Sequence, residues 1–134
     1  MRQLVFAALL LMIAPFLMGT SCNKTTDCKK VMCTMMFVSV TVTVQNSEGA
    51  PVRLDETYTL RIENNEKIRL EPQMEEGRYN VLDDSYQKKM ANRTEQFMFV
   101  GIKDGKKVVE EPFTISADCC HVQKQSGKEK VVMN

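Results

Sequence analysis

Tryptophan is missing from this chain, histidine occurs once, at position 121, and aromatic residues make up only 7% of it. A single imidazole confines neutral-pH proton transfer to one side chain, because only histidine titrates there unaided. Charge of one sign is also lacking: 18 basic and 17 acidic side chains leave +1 over 134 residues. A nucleic-acid binder needs a clustered basic surface to displace counterions. The basic pairs here, Lys29-Lys30, Lys88-Lys89 and Lys106-Lys107, each have acids nearby, so nucleic acid is not an expected partner. Six glycines are scattered and form no phosphate-cradling loop. Beyond residue 18 there is no long apolar run and no 3.6-residue period, which excludes a spanning helix and a helical bundle.

The amino end is the exception. Met1-Arg2 is followed by an apolar run from Leu4 to Met18, interrupted by Pro15, and then by Gly19-Thr20-Ser21-Cys22. A charged start, an apolar stretch and a small-residue end are the layout of a secretory signal over residues 1–21. The run of about 15 residues is short against the roughly 20 that a transmembrane helix needs. The cysteine at the cleavage point resembles the lipobox of bacterial lipoproteins, with Gly19 where leucine is usual. Ser21 before it and Asn23-Lys24 after it are similar to the looser lipoboxes of Bacteroidetes lipoproteins. The resemblance implies that Cys22 becomes an acylated, palmitate-bearing first residue. It would anchor the chain to the bilayer of the cell envelope, at the outer membrane, facing the periplasm or the surface. Several acyl chains hold firmly where one holds marginally. Cut before Cys22, the chain has 17 basic and 17 acidic residues. The alternative is a secreted protein with Cys22 as a free or paired thiol. Parity favours lipidation, since it leaves four cysteines, Cys28, Cys33, Cys119 and Cys120, an even number suited to disulfides in an oxidising compartment.

Residues 22–34 are polar and aperiodic and read as a tether, with the folded domain over 35–134. Met36, Val38, Val40, Val42 and Val44 alternate with Ser39, Thr41, Thr43 and Gln45, the pattern of a half-buried strand. Pro51 to Asp55 reads as a second short strand, and Thr57 to Ile62 as a third, with Tyr58, Leu60 and Ile62 on its apolar parity. Ile68 with Leu70, and Tyr79 with Val81, follow. Gln73 to Arg78 reads as a loop, and Tyr86 to Arg93 as a helical turn or loop. Thr94 to Ile102 is apolar on both parities, which suggests cover on both faces. Asp104-Gly105 is the strongest hairpin signal, because both residues tolerate the positive φ of a type I′ turn. The return strand runs from Val108 to Ile115 with Pro112 as an interruption, and Val122, Ser126-Gly127 and Val131 to Met133 form a closing hairpin. About seven short strands at turn spacings near ten residues predict an all-β, antiparallel sandwich.

Asp118-Cys119-Cys120-His121 is the most distinctive cluster. Neighbours on a strand point to opposite faces, so Cys119 and Cys120 cannot easily share one partner site there. A disulfide from Cys119 or Cys120 to Cys28 or Cys33 would close a loop of about 85 residues and stabilise by roughly 4–5 kcal/mol. Four cysteines allow three connectivities, which stay open. The competing metal reading, zinc or copper on Cys33, Cys119, Cys120 and His121, with Cys28 as a further candidate, has spacings outside the usual zinc patterns. A redox pair would want Cys-x-x-Cys at a helix start. A hydrolase with His121 as base lacks an orienting acid apart from Asp118, which on a strand faces away. Glu75-Glu76, Asp83-Asp84 and Glu110-Glu111 read as solvated pairs in loops. Met32, Met35 and Met36 read as core filler rather than copper ligands, and Asn92-Arg93-Thr94 matches the glycosylation tripeptide but has little weight in a bacterial lipoprotein.

Together the phrases Cys33-Thr34-Met35-Met36-Phe37, Val42 to Gln45 with Asn46-Ser47-Glu48-Gly49-Ala50-Pro51-Val52, and Asp118-Cys119-Cys120-His121-Val122 with Ser126-Gly127 resemble small Bacteroidetes lipoproteins. Those carry a carboxypeptidase-regulatory-like or transthyretin-like β-sandwich. Such relatives often have Cys-x-Cys-His, so the adjacent pair here departs from the pattern. The resemblance implies a non-catalytic accessory or binding module of the envelope, with a protein or glycan partner, no cofactor and no catalytic residues. The alternative carried forward is a periplasmic metal-handling protein.

Overall fold

The computed structural model describes residues 27–71 and 75–133; the signal segment and Cys22 lie outside the described residues. Eight strands form two sheets: β1 (Ser39–Gln45), β2 (Glu56–Arg61), β3 (Glu66–Ile68), β4 (Arg78–Asp83), β5 (Arg93–Lys103), β6 (Lys106–Ala117), β7 (Val122–Ser126) and β8 (Lys130–Val132). The smaller sheet has the order β4-β1-β8 and the larger β3-β2-β5-β6-β7. The expected all-β, sandwich-like architecture is what forms. Val40, Val42 and Val44 of β1, with Tyr79 and Val81 of β4, meet Phe97, Phe99, Phe113 and Ile115 of the larger sheet in one core. Each buried aliphatic or aromatic side chain contributes about 1.5–3 kcal/mol through water released.

Local signals placed several elements well. The alternation of β1 is reproduced residue for residue in its burial, although the strand begins at Ser39 and leaves Met36 and Phe37 exposed. Asp104 (φ 50°) and Gly105 (φ 71°) form the turn between β5 and β6, whose register runs from Arg93↔Ala117 to Lys103↔Lys106. The helical turn is present as a 3-10 turn, Asp84–Tyr86, followed by α1 (Gln87–Met90).

Other expectations are corrected. Residues 51–55 form no strand. The amide of Val52 bonds the Val44 carbonyl of the smaller sheet, that of Leu54 the Tyr79 hydroxyl, and that of Asp55 the Ile102 carbonyl of the larger sheet. A segment whose amides are divided between two sheets crosses the sandwich, with one isolated bridge from Pro51 to Gln45 and no ladder in either. β3 ends at Ile68, short of Leu70. The apolar parity of β2 does not face the core: Thr59 and Arg61 are buried, while Ile62 is exposed. Thr59 can point inward because its hydroxyl donates to the Val81 carbonyl at 2.6 Å. Arg61 can because Glu95 accepts a two-pronged bond from it at 2.6 and 2.8 Å, a pairing that holds its proton more tightly. β5 is buried at Phe97, Phe99 and Gly101 on one face and at Val100 on the other, and only partly covered at Met98 and Ile102.

β6 continues through Pro112. β7 pairs with β6 only from Thr114 onward, so at Pro112 the strand is an edge, where a missing N–H costs little. Glu110-Glu111 lies in this strand, not in a loop, and Glu111 is buried against Lys128. Of the expected loop at 73–78, residues 73–74 lie outside the described residues and Arg78 already belongs to β4. The closing hairpin does not form. β7 completes the larger sheet, and the chain crosses at Gly127 so that β8 pairs parallel with β1, Thr43 opposite Lys130. Gly127 has φ +122°, and a Cβ there would stand 2.2 Å from the Phe113 ring. Only glycine allows both that backbone and that approach.

Candidate functional site: a doubly stapled corner

The chemistry-bearing residues of the sequence converge where β6 turns into β7. Cys119 and Cys120 are not on a strand, as expected, but in the bend that joins the two. Asp118 makes this bend. Its Oδ1 accepts the amides of Cys120 and His121 at 2.7 and 2.8 Å, and its own amide bonds the His121 carbonyl. Those amides hold the Asp118 carboxyl below the usual carboxylate range. A bend frees the two cysteines from the opposite-face rule of a strand. Both reach one incoming segment, and the bonds are Cys28–Cys119 and Cys33–Cys120. Cys28 begins a short 3-10 turn, Cys28–Lys30, capped by Asp27. Residues 28 and 33, read from sequence as part of the tether, are therefore covalently joined to the domain.

The acid that orients His121 is Asp84, 37 residues away. Nδ1 of His121 lies 2.7 Å from Asp84 Oδ2, and since a carboxylate only accepts, Nδ1–H donates. Asp84 also accepts the amides of Val38 and Val122, each at 2.8 Å, and its own amide bonds the Val38 carbonyl. Burial pushes the Asp84 carboxyl up, but the His121 bond and the two amides outweigh it and hold it below the ordinary range. Asp84 thus ties the entry to β1, the end of β4 and the start of β7 together. On the other side of the ring, Nε2 is 3.0 Å from the Thr34 hydroxyl.

Hydroxyl, imidazole and carboxylate stand in the order of an acyl-transfer relay. The cavity beside them, about 160 Å³, is lined by Val31, Asn92, Asp118, Cys119 and Cys120, not by Thr34 or His121. In the structure Thr34 and His121 add a polar contact to the two disulfides at this corner. For metal binding, Cys33, Cys119 and Cys120 offer no thiolate, since each is in a disulfide. Among the described residues there is no group of three or more histidine, cysteine and acidic side chains placed to hold an ion.

A second surface is the outer face of the larger sheet. Ile62, Gln96, Met98, Pro112 and Thr114 line a shallow groove of about 280 Å³ there. Next to it, a wider one of about 450 Å³ runs along Ile62, Glu63, Arg93, Thr94 and Glu95. Nothing local in the sequence marks this face, because the inward turn of Thr59 and Arg61 that puts Ile62 outside depends on partners from other strands.

No family model, curated protein or solved structure matches the chain, so the functional reading rests on these residues. No helix among the described residues is long and apolar enough to cross a membrane.

Proposed function

We propose that the chain is a lipid-anchored module of the bacterial cell envelope, attached through an acylated Cys22, that binds an envelope protein or glycan without catalysing a reaction. The observation that carries this reading is the double staple. Two disulfides fasten the segment that follows Cys22 to the body of the sandwich, and disulfides of this kind belong to an oxidising compartment outside the cytoplasm. Cys22 precedes the first staple by six residues, which span at most about 20 Å when extended. An anchor at Cys22 therefore keeps the domain at the bilayer, and any pull on the anchor is taken by covalent bonds. The transthyretin-like resemblance fits a two-sheet accessory domain, and the exposed face around Ile62 and Met98 offers apolar area with polar and charged margins, the composition of a partner surface.

The test is the Cys22→Ser chain expressed in a bacterium with a lipoprotein pathway. The parent chain is expected in the membrane fraction, resistant to high-salt washing, and the variant in the soluble fraction. A variant that stays in the membrane, or a parent chain that is soluble, contradicts the anchor.

A further inference from the structure

Residues 31–37, between the first staple and β1, are the most apolar exposed stretch among the described residues. Met32 and Met35 are 96% and 104% exposed, Met36 and Phe37 71% and 68%, and Val31 is bare over more than a third of its surface. Nothing among the described residues covers them. Five such side chains in seven consecutive positions are not the single scattered apolar residues of an ordinary surface. They are also not free to fold back onto the core. Cys28 and Cys33 hold the segment from one side, and the Val38 amide is fixed to Asp84 on the other. The fold presents them outward.

We infer that this stapled segment is a membrane-contact surface: Met32, Met35, Met36 and Phe37 seat in the headgroup–acyl boundary of the bilayer next to the anchor. The inference rests on the acylation of Cys22 proposed above. Three features select a lipid surface over a protein. The segment begins at Val31, nine residues after Cys22, so the anchor brings it to the bilayer at high effective concentration. Residues 23–26, Asn-Lys-Thr-Thr, include no apolar residue. Lys24, Lys29 and Lys30 outnumber the one acid of the stretch, Asp27, which suits anionic headgroups beside an apolar face. Unbranched methionine adapts to an irregular lipid surface better than a stiff side chain would.

This seat orients the molecule. The staples lie at the Arg93↔Ala117 end of the β5–β6 hairpin, and the Asp104-Gly105 turn lies at the other, eleven register pairs away. At about 3.3 Å per residue the turn can stand up to roughly 35 Å from the staples.

The absence of tryptophan makes the test direct. Phe37→Trp, and separately Met35→Trp in case the first disturbs β1, puts one reporter in the segment, and Lys106→Trp puts one at the far turn. Each full-length acylated chain is reconstituted in vesicles of phosphatidylethanolamine and phosphatidylglycerol with brominated acyl chains. A side chain seated about 5–10 Å into the boundary is expected to emit to the blue and lose about half its fluorescence or more, while the Lys106→Trp reporter keeps nearly all of its emission. If the chain floats with the vesicles but both segment reporters emit as in water, the anchor stands and the contact surface is refuted. Reporters shielded from acrylamide yet unquenched by bromine would mean that a second copy or another protein covers the segment, which also refutes it. A chain that carries no acyl mass and does not float removes the anchor, and this inference with it.

Discussion

At the scale of single residues, Asp84 does the most. One carboxylate receives two backbone amides and an imidazole N–H from three separate parts of the chain, and its side chain is only 10% exposed. Replacing an oxygen by an amide group in Asp84→Asn turns a donor toward donors and leaves buried N–H groups short of an acceptor. The expected cost is roughly 2–4 kcal/mol at neutral pH, measured by denaturant unfolding. The pH dependence follows from the sign. The folded Asp84 and Asp118 carboxyls lie below their ordinary value, so their contribution is complete above the unfolded value near 3.9 and is lost as pH falls through the folded values. The gap between parent and Asp84→Asn is therefore expected to close as the pH falls below about 5 through the folded value of Asp84. A gap that widens toward low pH would contradict this role. Asp118 and His121 were visible in the sequence as parts of a cluster, but Asp84 was not. It looked like half of a solvated acidic pair, because nothing local marks a partner 37 positions away.

At the scale of elements, the staples act on one short segment twice. Either disulfide alone closes a loop of about 90 residues, with separations of 91 and 87, worth roughly 4.5 kcal/mol in the chain-entropy relation. Once one is present, the second closes only a ring of about eight residues, worth roughly 2.5 kcal/mol by the same relation. Removing either pair by Cys→Ser substitution is therefore expected to cost about 2–3 kcal/mol, and removing both about 7, more than the sum of the single losses. Equal and additive losses in unfolding titrations would mean that the two bonds act independently. The first bond stabilises the fold; the second fixes the direction in which residues 28–38 leave it. How far the elements were legible depended on range. β1 and the β5–β6 hairpin were plain, since period-two alternation and Asp-Gly are local. β2 was found, but its buried face was misjudged, because Thr59 and Arg61 are made tolerable inside by Val81 and Glu95 from other strands. The closing hairpin was misread because Ser126-Gly127 does turn the chain, but across the sandwich into a parallel pairing with β1 that no local pattern announces.

At the scale of the whole molecule, the structure is a small two-sheet domain whose amino-terminal segment is held by two disulfides, a His–Asp pair and a threonine hydroxyl at one corner. The rest of the fold stands away from that corner. With charge balanced, the binding proposed for this domain would rest on shape and on the face around Ile62 and Met98 rather than on long-range electrostatic steering. Cysteine parity pointed to disulfides among Cys28, Cys33, Cys119 and Cys120, which form, but the pairing needed the bend that Asp118 makes. The central claim, an acyl anchor leading directly into a doubly stapled domain, is tested most directly by mass spectrometry of the protein extracted from the membrane fraction without reduction. The account predicts an acyl mass on Cys22, no alkylatable thiol under denaturing conditions, and fragments linking Cys28 with Cys119 and Cys33 with Cys120. An unmodified Cys22 together with four free thiols would contradict it.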